Sequence, residues 1–110
     1  MKATYVQRGE TVDYTNSTKE KIENGTVVSL STRIAVVGDD IQPESKGILH
    51  VVGVFELKKA DSEKITQGAE VYYDATHDAI TATADSNIPA GYAVKEAAAN
   101  DKTVSVKLLG

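Results

Sequence analysis

The chain is predicted to be all-β: a small barrel or sandwich of short antiparallel strands, preceded by an extended N-terminal arm. Three observations predict this. Short β-branched or aromatic runs are bounded by Gly, Asp or Asn, as in Gly53-Val-Phe-Glu-Leu-Lys-Lys-Ala60, Gln67-Gly-Ala-Glu-Val-Tyr-Tyr-Asp74 and Ala90-Gly-Tyr-Ala-Val94. Turn signals recur roughly every 8–12 residues, the spacing of sandwiches and barrels. No segment sustains the helical period for more than about two turns.

The elements follow in order. Residues 1–10 read as an extended arm or edge strand ending at Gly9-Glu10, and residues 11–110 as one β domain, since domains cluster around ~100–150 residues. Thr11 to Tyr14 alternates and forms a first strand, and the polar Asn16–Asn24 stretch suits a turn or one helical turn. Asn24-Gly25 tolerates positive φ and marks a turn before the β-branched runs Thr26–Leu30 and Arg33–Val37, joined tightly at Ser31-Thr32. Ile41 to Gly47 is a loop, because Pro43 lacks a ladder donor. The longest apolar segment, Gly47 to Leu57, carries Gly53 in its middle and divides into two short strands around a corner. Lys58 to Thr66 is charged and holds a helical turn at most, with Ala60, Ile65 and Ala69 as apolar anchors. Ala69–Tyr73 is a strand, Asp74–Asp78 a hairpin turn, and Ala79–Thr83 pairs back. Asp85–Pro89 is a loop; Gly91–Glu96 and Thr103–Leu108 are the last strands, with Ala99–Lys102 turning between them. Asn24-Gly-Thr-Val-Val28 echoes Gln67-Gly-Ala-Glu-Val71, although shared hairpin grammar accounts for so short a match equally well.

Composition excludes several function classes. Hydrophobic residues make up 41% but aromatics only 5%, with one Phe and no Trp, so the core is thin and assembly would be a natural source of stability. With no cysteine there is neither a disulfide framework nor a thiolate metal site. No apolar run after Met1-Lys2 resembles a signal peptide, and none approaches the ~18–20 residues of a membrane span. Net charge is -4 and the basic residues are scattered, which argues against a nucleic-acid partner.

Residues able to do chemistry are few. His50 and His77 are the only candidates for acid–base work near neutrality. Alternation turns His50 away from Leu49 and Val51, a surface or half-buried strand position, and His77 sits in a turn. Gly-x-Ser-x-Gly, His-Glu-x-x-His and the glycine-rich phosphate loops are absent. Asp39-Asp40 and Asp74…Asp78 together offer oxygens for a cation, but their spacing is not that of a calcium loop and Asp is a favoured turn residue, so the turn reading is preferred. No cofactor is expected, and the chain does not read as an enzyme.

The order of segments resembles the small bacteriophage head proteins of the DUF2190 type, the capsid cement or decoration family. The resemblance is carried by Tyr5-Val-Gln-Arg-Gly-Glu-Thr-Val-Asp-Tyr-Thr15, Ile22…Gly25-x-Val-Val28, Thr32-Arg-Ile-Ala-Val36, Gly53-Val-Phe-Glu-Leu57, Gly68-Ala-x-Val-Tyr72, Ala90-Gly-Tyr-Ala-Val94 and Val104-x-Val-x-Leu108, nearly the whole chain. Lys58 and Tyr73 stand where relatives have Pro and Trp, changes that keep turn and strand character. The resemblance implies a structural virion protein, made in the bacterial host cytoplasm, that binds the outside of the expanded capsid. Its implied partners are the major capsid protein and itself, as a homotrimer, without nucleic acid or membrane. The arm residues Tyr5, Val6, Gln7 and Arg8 are the expected contacts to the capsid or to a neighbouring protomer, by strand addition at a sheet edge. The rival reading is a small barrel that binds a carbohydrate or host-surface ligand through some of Tyr5, Tyr14, Tyr72, Tyr73 and Tyr92. Alternation faces one of Tyr72 and Tyr73 inward, and core packing accounts for most of these tyrosines more simply.

Overall fold

A computed structural model describes all residues, 1–110. It contains strands and turns but no helix, in two antiparallel sheets that are not closed into a barrel. Strands β1 (Thr11–Thr15), β2 (Val27–Ser29), β3 (Ile34–Val37) and β4 (Lys46–His50) make the first sheet, in the order β1-β4-β3-β2. Strands β5 (Val54–Lys58), β6 (Glu70–Asp74), β7 (Ala79–Thr81), β8 (Ile88–Ala93) and β9 (Thr103–Leu108) make the second, in the order β5-β9-β8-β6-β7.

Most predicted strands lie where the alternation put them. Gly53, at φ 129°, breaks the long apolar segment, and the break carries the chain from one sheet to the other. The polar stretches after β1 and β5 take the turn rather than the helical alternative, held by local side-chain hydrogen bonds. One expectation is corrected. The segment expected to be a loop up to Pro89 already belongs to β8 at Ile88. Pro89 is tolerated there because it sits where the register with β6 shifts, between Val71 and Tyr72.

The two halves repeat one unit, and the short echo in the sequence marks it. Order β1-β4-β3-β2 is matched by β5-β9-β8-β6, and the pairing Thr11↔His50 through Thr15↔Lys46 by Val54↔Lys107 through Lys58↔Thr103. The isolated bridge Ile22–Ile41 has its twin in Ile65–Ala97. Gly25 and Gly68 turn at φ 87° and 86° and donate to Val37 and Ala93. Even an exposed ion pair recurs, Lys21–Asp40 at 3.7 Å and Lys64–Glu96 at 3.3 Å. The matching residues are Glu20-Lys-Ile-x-x-Gly-x-x-Val28 and Glu63-Lys-Ile-x-x-Gly-x-x-Val71. The halves differ in one place. Where the first turns sharply at Ser31–Arg33, the second carries the insertion that contains β7, laid on the outer edge of β6.

Each half encloses its own core. Val28, Ala35, Val37, Ile41, Leu49 and Val51 form the first, with Val12, Tyr14 and Ile22 packed against it. The larger core contains Leu57, Ile65, Val71, Ile80, Val104, Val106 and Leu108, and receives Ile34 and Val36 from the first half. β3 is therefore buried on both faces, Ala35 and Val37 inward to its own half, Ile34 and Val36 outward into the other. This strand joins the halves. At ~25 cal/mol per Å² of apolar area, its four side chains make a large share of so thin a core.

Candidate functional site

The arm residues singled out in the sequence project from the β1 end of the first sheet. Residues 1–9 form no strand; Tyr5 and Val6 are 76% and 85% exposed and pack on nothing. Gln7 donates through Nε2 to the Thr11 carbonyl at 2.9 Å, and the Arg8 guanidinium lies 3.3 Å from the Glu10 carboxylate. Lys2 and Arg8 are charged while residues 1–9 hold no carboxylate, so the arm is a basic strand-length segment on a chain of net charge -4.

The groups with latent chemistry are committed to structure. His50 is half-buried, its ring centroid 6.0 Å from that of Phe55, at the corner where β4 hands over to β5. His77 lies in the hairpin turn with Nδ1 2.7 Å from Asp74, and that bond is the chief cause holding the Asp74 carboxyl below its usual range. Asp78 accepts from the Tyr73 hydroxyl at 2.7 Å; burial first, then that carboxylate, push the phenol up to about 12. Asp39 accepts from the Asp40 amide, and Asp40 from the Asn24 amide. These carboxylates fasten turns, and nowhere do three or more His, Cys, Asp or Glu gather in a group able to hold a metal ion.

Two buried polar side chains escaped the sequence reading. Lys59 is 1% exposed, and its Nζ donates to the carbonyls of Ala60 at 2.7 Å, Glu63 at 2.5 Å and Ala99 at 3.2 Å, satisfying all three donors. Asn16, fully buried, holds the equivalent place in the first half, donating to the carbonyls of Glu20, Ile41 and Gln42. Both rivet the turn after the first strand of a repeat. The repeated Glu-Lys-Ile-x-x-Gly-x-x-Val is the signal that could have found them.

What remains free is surface. Tyr14 and Tyr73 pack against the cores, whereas Tyr92 is 43% exposed and shares a row across the second sheet with Val54, Lys107 and Glu70. A half-open groove of about 400 Å³ runs between the edge of β2 and the edge of β5, with Tyr73, Asp78 and Ile80 lining it. The accessible features are thus an exposed basic arm, a partly apolar outer face and unpaired strand edges, the equipment of a protein that works through contact with other proteins. A model of the phage cement protein family matches residues 6–108, and the chain belongs to that family. No curated protein and no solved structure matches it.

The family is that of a structural phage protein, with a capsid-stabilising role and a place on the virion capsid. Its match begins at Val6, so residues 6–10 of the arm fall within it and Tyr5 lies just outside.

Proposed function

We propose that this chain binds the outer surface of the expanded capsid and holds neighbouring major-capsid subunits together against the outward pressure of packaged DNA. The observation that carries this is the family match over residues 6–108. The fold supports it: a thin-cored β protein with an exposed arm has surface to offer to a lattice. Tyr5, Val6, Gln7 and Arg8 serve as the contact segment, ordering on a capsid subunit or a neighbouring protomer. The working form is a homotrimer, in which modest affinity per subunit becomes strong when linked copies engage the repeating sites of a shell together. The role requires no catalysis, cofactor, nucleic acid or membrane, and synthesis takes place in the host cytoplasm.

The test is the mass of the purified protein by light scattering, followed by co-sedimentation with expanded and unexpanded empty capsids. A trimer that sediments with expanded shells alone is the expected result. A strict monomer that ignores both shells overturns it and directs attention to a carbohydrate or host-surface ligand.

A further inference from the structure

The two repeats differ at one edge, and that difference points to an acceptor site. In the second half the outer edge of β6 is covered: Tyr72 pairs with Thr81 and Asp74 with Ala79 of β7. In the first half the corresponding edge of β2 is bare, β2 being the last strand of its sheet. Val37 donates to the Thr26 carbonyl and Leu30 to that of Arg33, so residues 26, 28 and 30 face β3, and Val27 and Ser29 turn their N–H and C=O groups outward. Outside the β2–β3 ladder the main chain of Val27 and Ser29 makes no hydrogen bond. Val27 lines the groove, and Ser29 continues the same edge beyond it. The groove's opposite wall is the outer edge of β5, bridged only just past its end, at Lys59 to Ile80. Lys59 donates to Lys102 and Leu108 to Gly53, which places the Glu56 and Lys58 main-chain groups on the groove side of β5.

The same molecule carries a segment suited to this place. The arm is exposed, free of Gly and Pro before Gly9, and contains the strand-forming run Thr4-Tyr5-Val6. Ahead of Gly9 its charges are Lys2 and Arg8, Arg8 lying 3.3 Å from Glu10 at the arm's base, and the groove presents the carboxylates Glu56 and Asp78 against the single cation Lys58. The arm leaves from β1, at the opposite edge of the sheet from β2.

We propose that the N-terminal arm of one copy adds as a strand to the β2 edge of a second copy, covering Ser29 as β7 covers its counterpart Tyr72 in the second repeat and continuing along Val27 into the groove. This inference rests on the proposed self-assembly and names its contact: Tyr5 and Val6 on the donor, Val27 and Ser29 on the acceptor. Each copy offers one arm and one bare β2 edge, so every copy can donate and accept at once, as a ring such as the proposed trimer requires.

The test is amide hydrogen exchange and solution mass on the full-length chain without capsids, compared with Val6→Pro. Proline removes a donor from the arm, and Val6 is 85% exposed and outside both cores, so the variant keeps the fold. Expected are a multimer with slow exchange at Val27 and Ser29, and a Val6→Pro monomer in which both amides exchange about tenfold faster or more, the effect of one or two net hydrogen bonds. Fast exchange at both amides in the wild-type protein overturns the proposal. So does slow exchange in a monomer, which would mean that the arm folds onto its own body, and so does slow exchange that Val6→Pro leaves unchanged. With no capsid present, failure here leaves the capsid-binding reading standing, and failed co-sedimentation leaves the strand exchange standing.

Discussion

Gly91 shows how a single residue is tied to the ladder. It sits at φ 143° where β8 bulges, and a Cβ there would stand 1.9 Å from the Lys107 carbonyl oxygen. That obstacle is main chain and cannot swing aside. Gly91→Ala is expected to cost about 3 kcal/mol or more, from strained backbone and overpacking together, read as a lower urea midpoint. Lys59 is the second such residue. Its ammonium is held by three carbonyls and no carboxylate, so Lys59→Met keeps the stem but strips three buried acceptors of their donor. The expected loss is about 2–4 kcal/mol in the same assay. Tyr73 supplies the pH dependence. Its phenol is raised from 10.0 to about 12, so the folded state favours the neutral form. That contribution is complete below pH 10 and is lost as pH rises from 10 towards 12. An alkaline absorbance titration should show a late phenol step near pH 12, and Tyr73→Phe should abolish it.

Elements are held by twin contacts whose burial differs. Ile22 and Ile65 make matching bridges at matching places, yet Ile65 is 1% exposed in the larger core whereas Ile22 is only half-buried. Ile65→Ala is expected to cost about 3 kcal/mol and Ile22→Ala about half of that, since the cavity term grows with how enclosed the site is. Equal losses in denaturant unfolding would show that the halves share burial as well as pairing. β3 is buried at every position and divides its side chains between the two cores, so Val36 and Val37, neighbours in sequence, stabilise different cores. The β7 insertion displays the same logic at an edge: where the second half needs a cover for β6, the chain supplies one.

For the whole molecule, the family and the surface point the same way. The chain spans 41 × 39 × 23 Å, with the arm free of both cores. Removing the arm by cleavage at Arg8 should leave the β body folded, release monomers from the multimer, and reduce co-sedimentation with expanded capsids. A clipped protein that binds as well as the intact one would remove the arm from the contact.

Much of this fold was legible before any coordinates. Strand positions follow from alternation over a few residues, and turns at Asn24-Gly25, Gly53 and Asp74–Asp78 follow from residues that tolerate the needed φ or bond their own backbone. Those are local properties, and the chain carries them wherever it goes. The candidate arm, Tyr5 to Arg8, was likewise readable as an extended segment before the first strand, whereas Lys59 and Asn16 read as ordinary polar turn residues. Their burial depends on carbonyls brought from Ala99 and from Ile41, far along the chain. The same is true of the face of β3 that enters the second half, the repeat behind a short echo, and the bare edge of β2. Sequence by itself determined where strands begin, alternate and turn, because those forces act between neighbours. Only the tertiary structure decided which faces and edges are covered, because that depends on what distant segments bring against them.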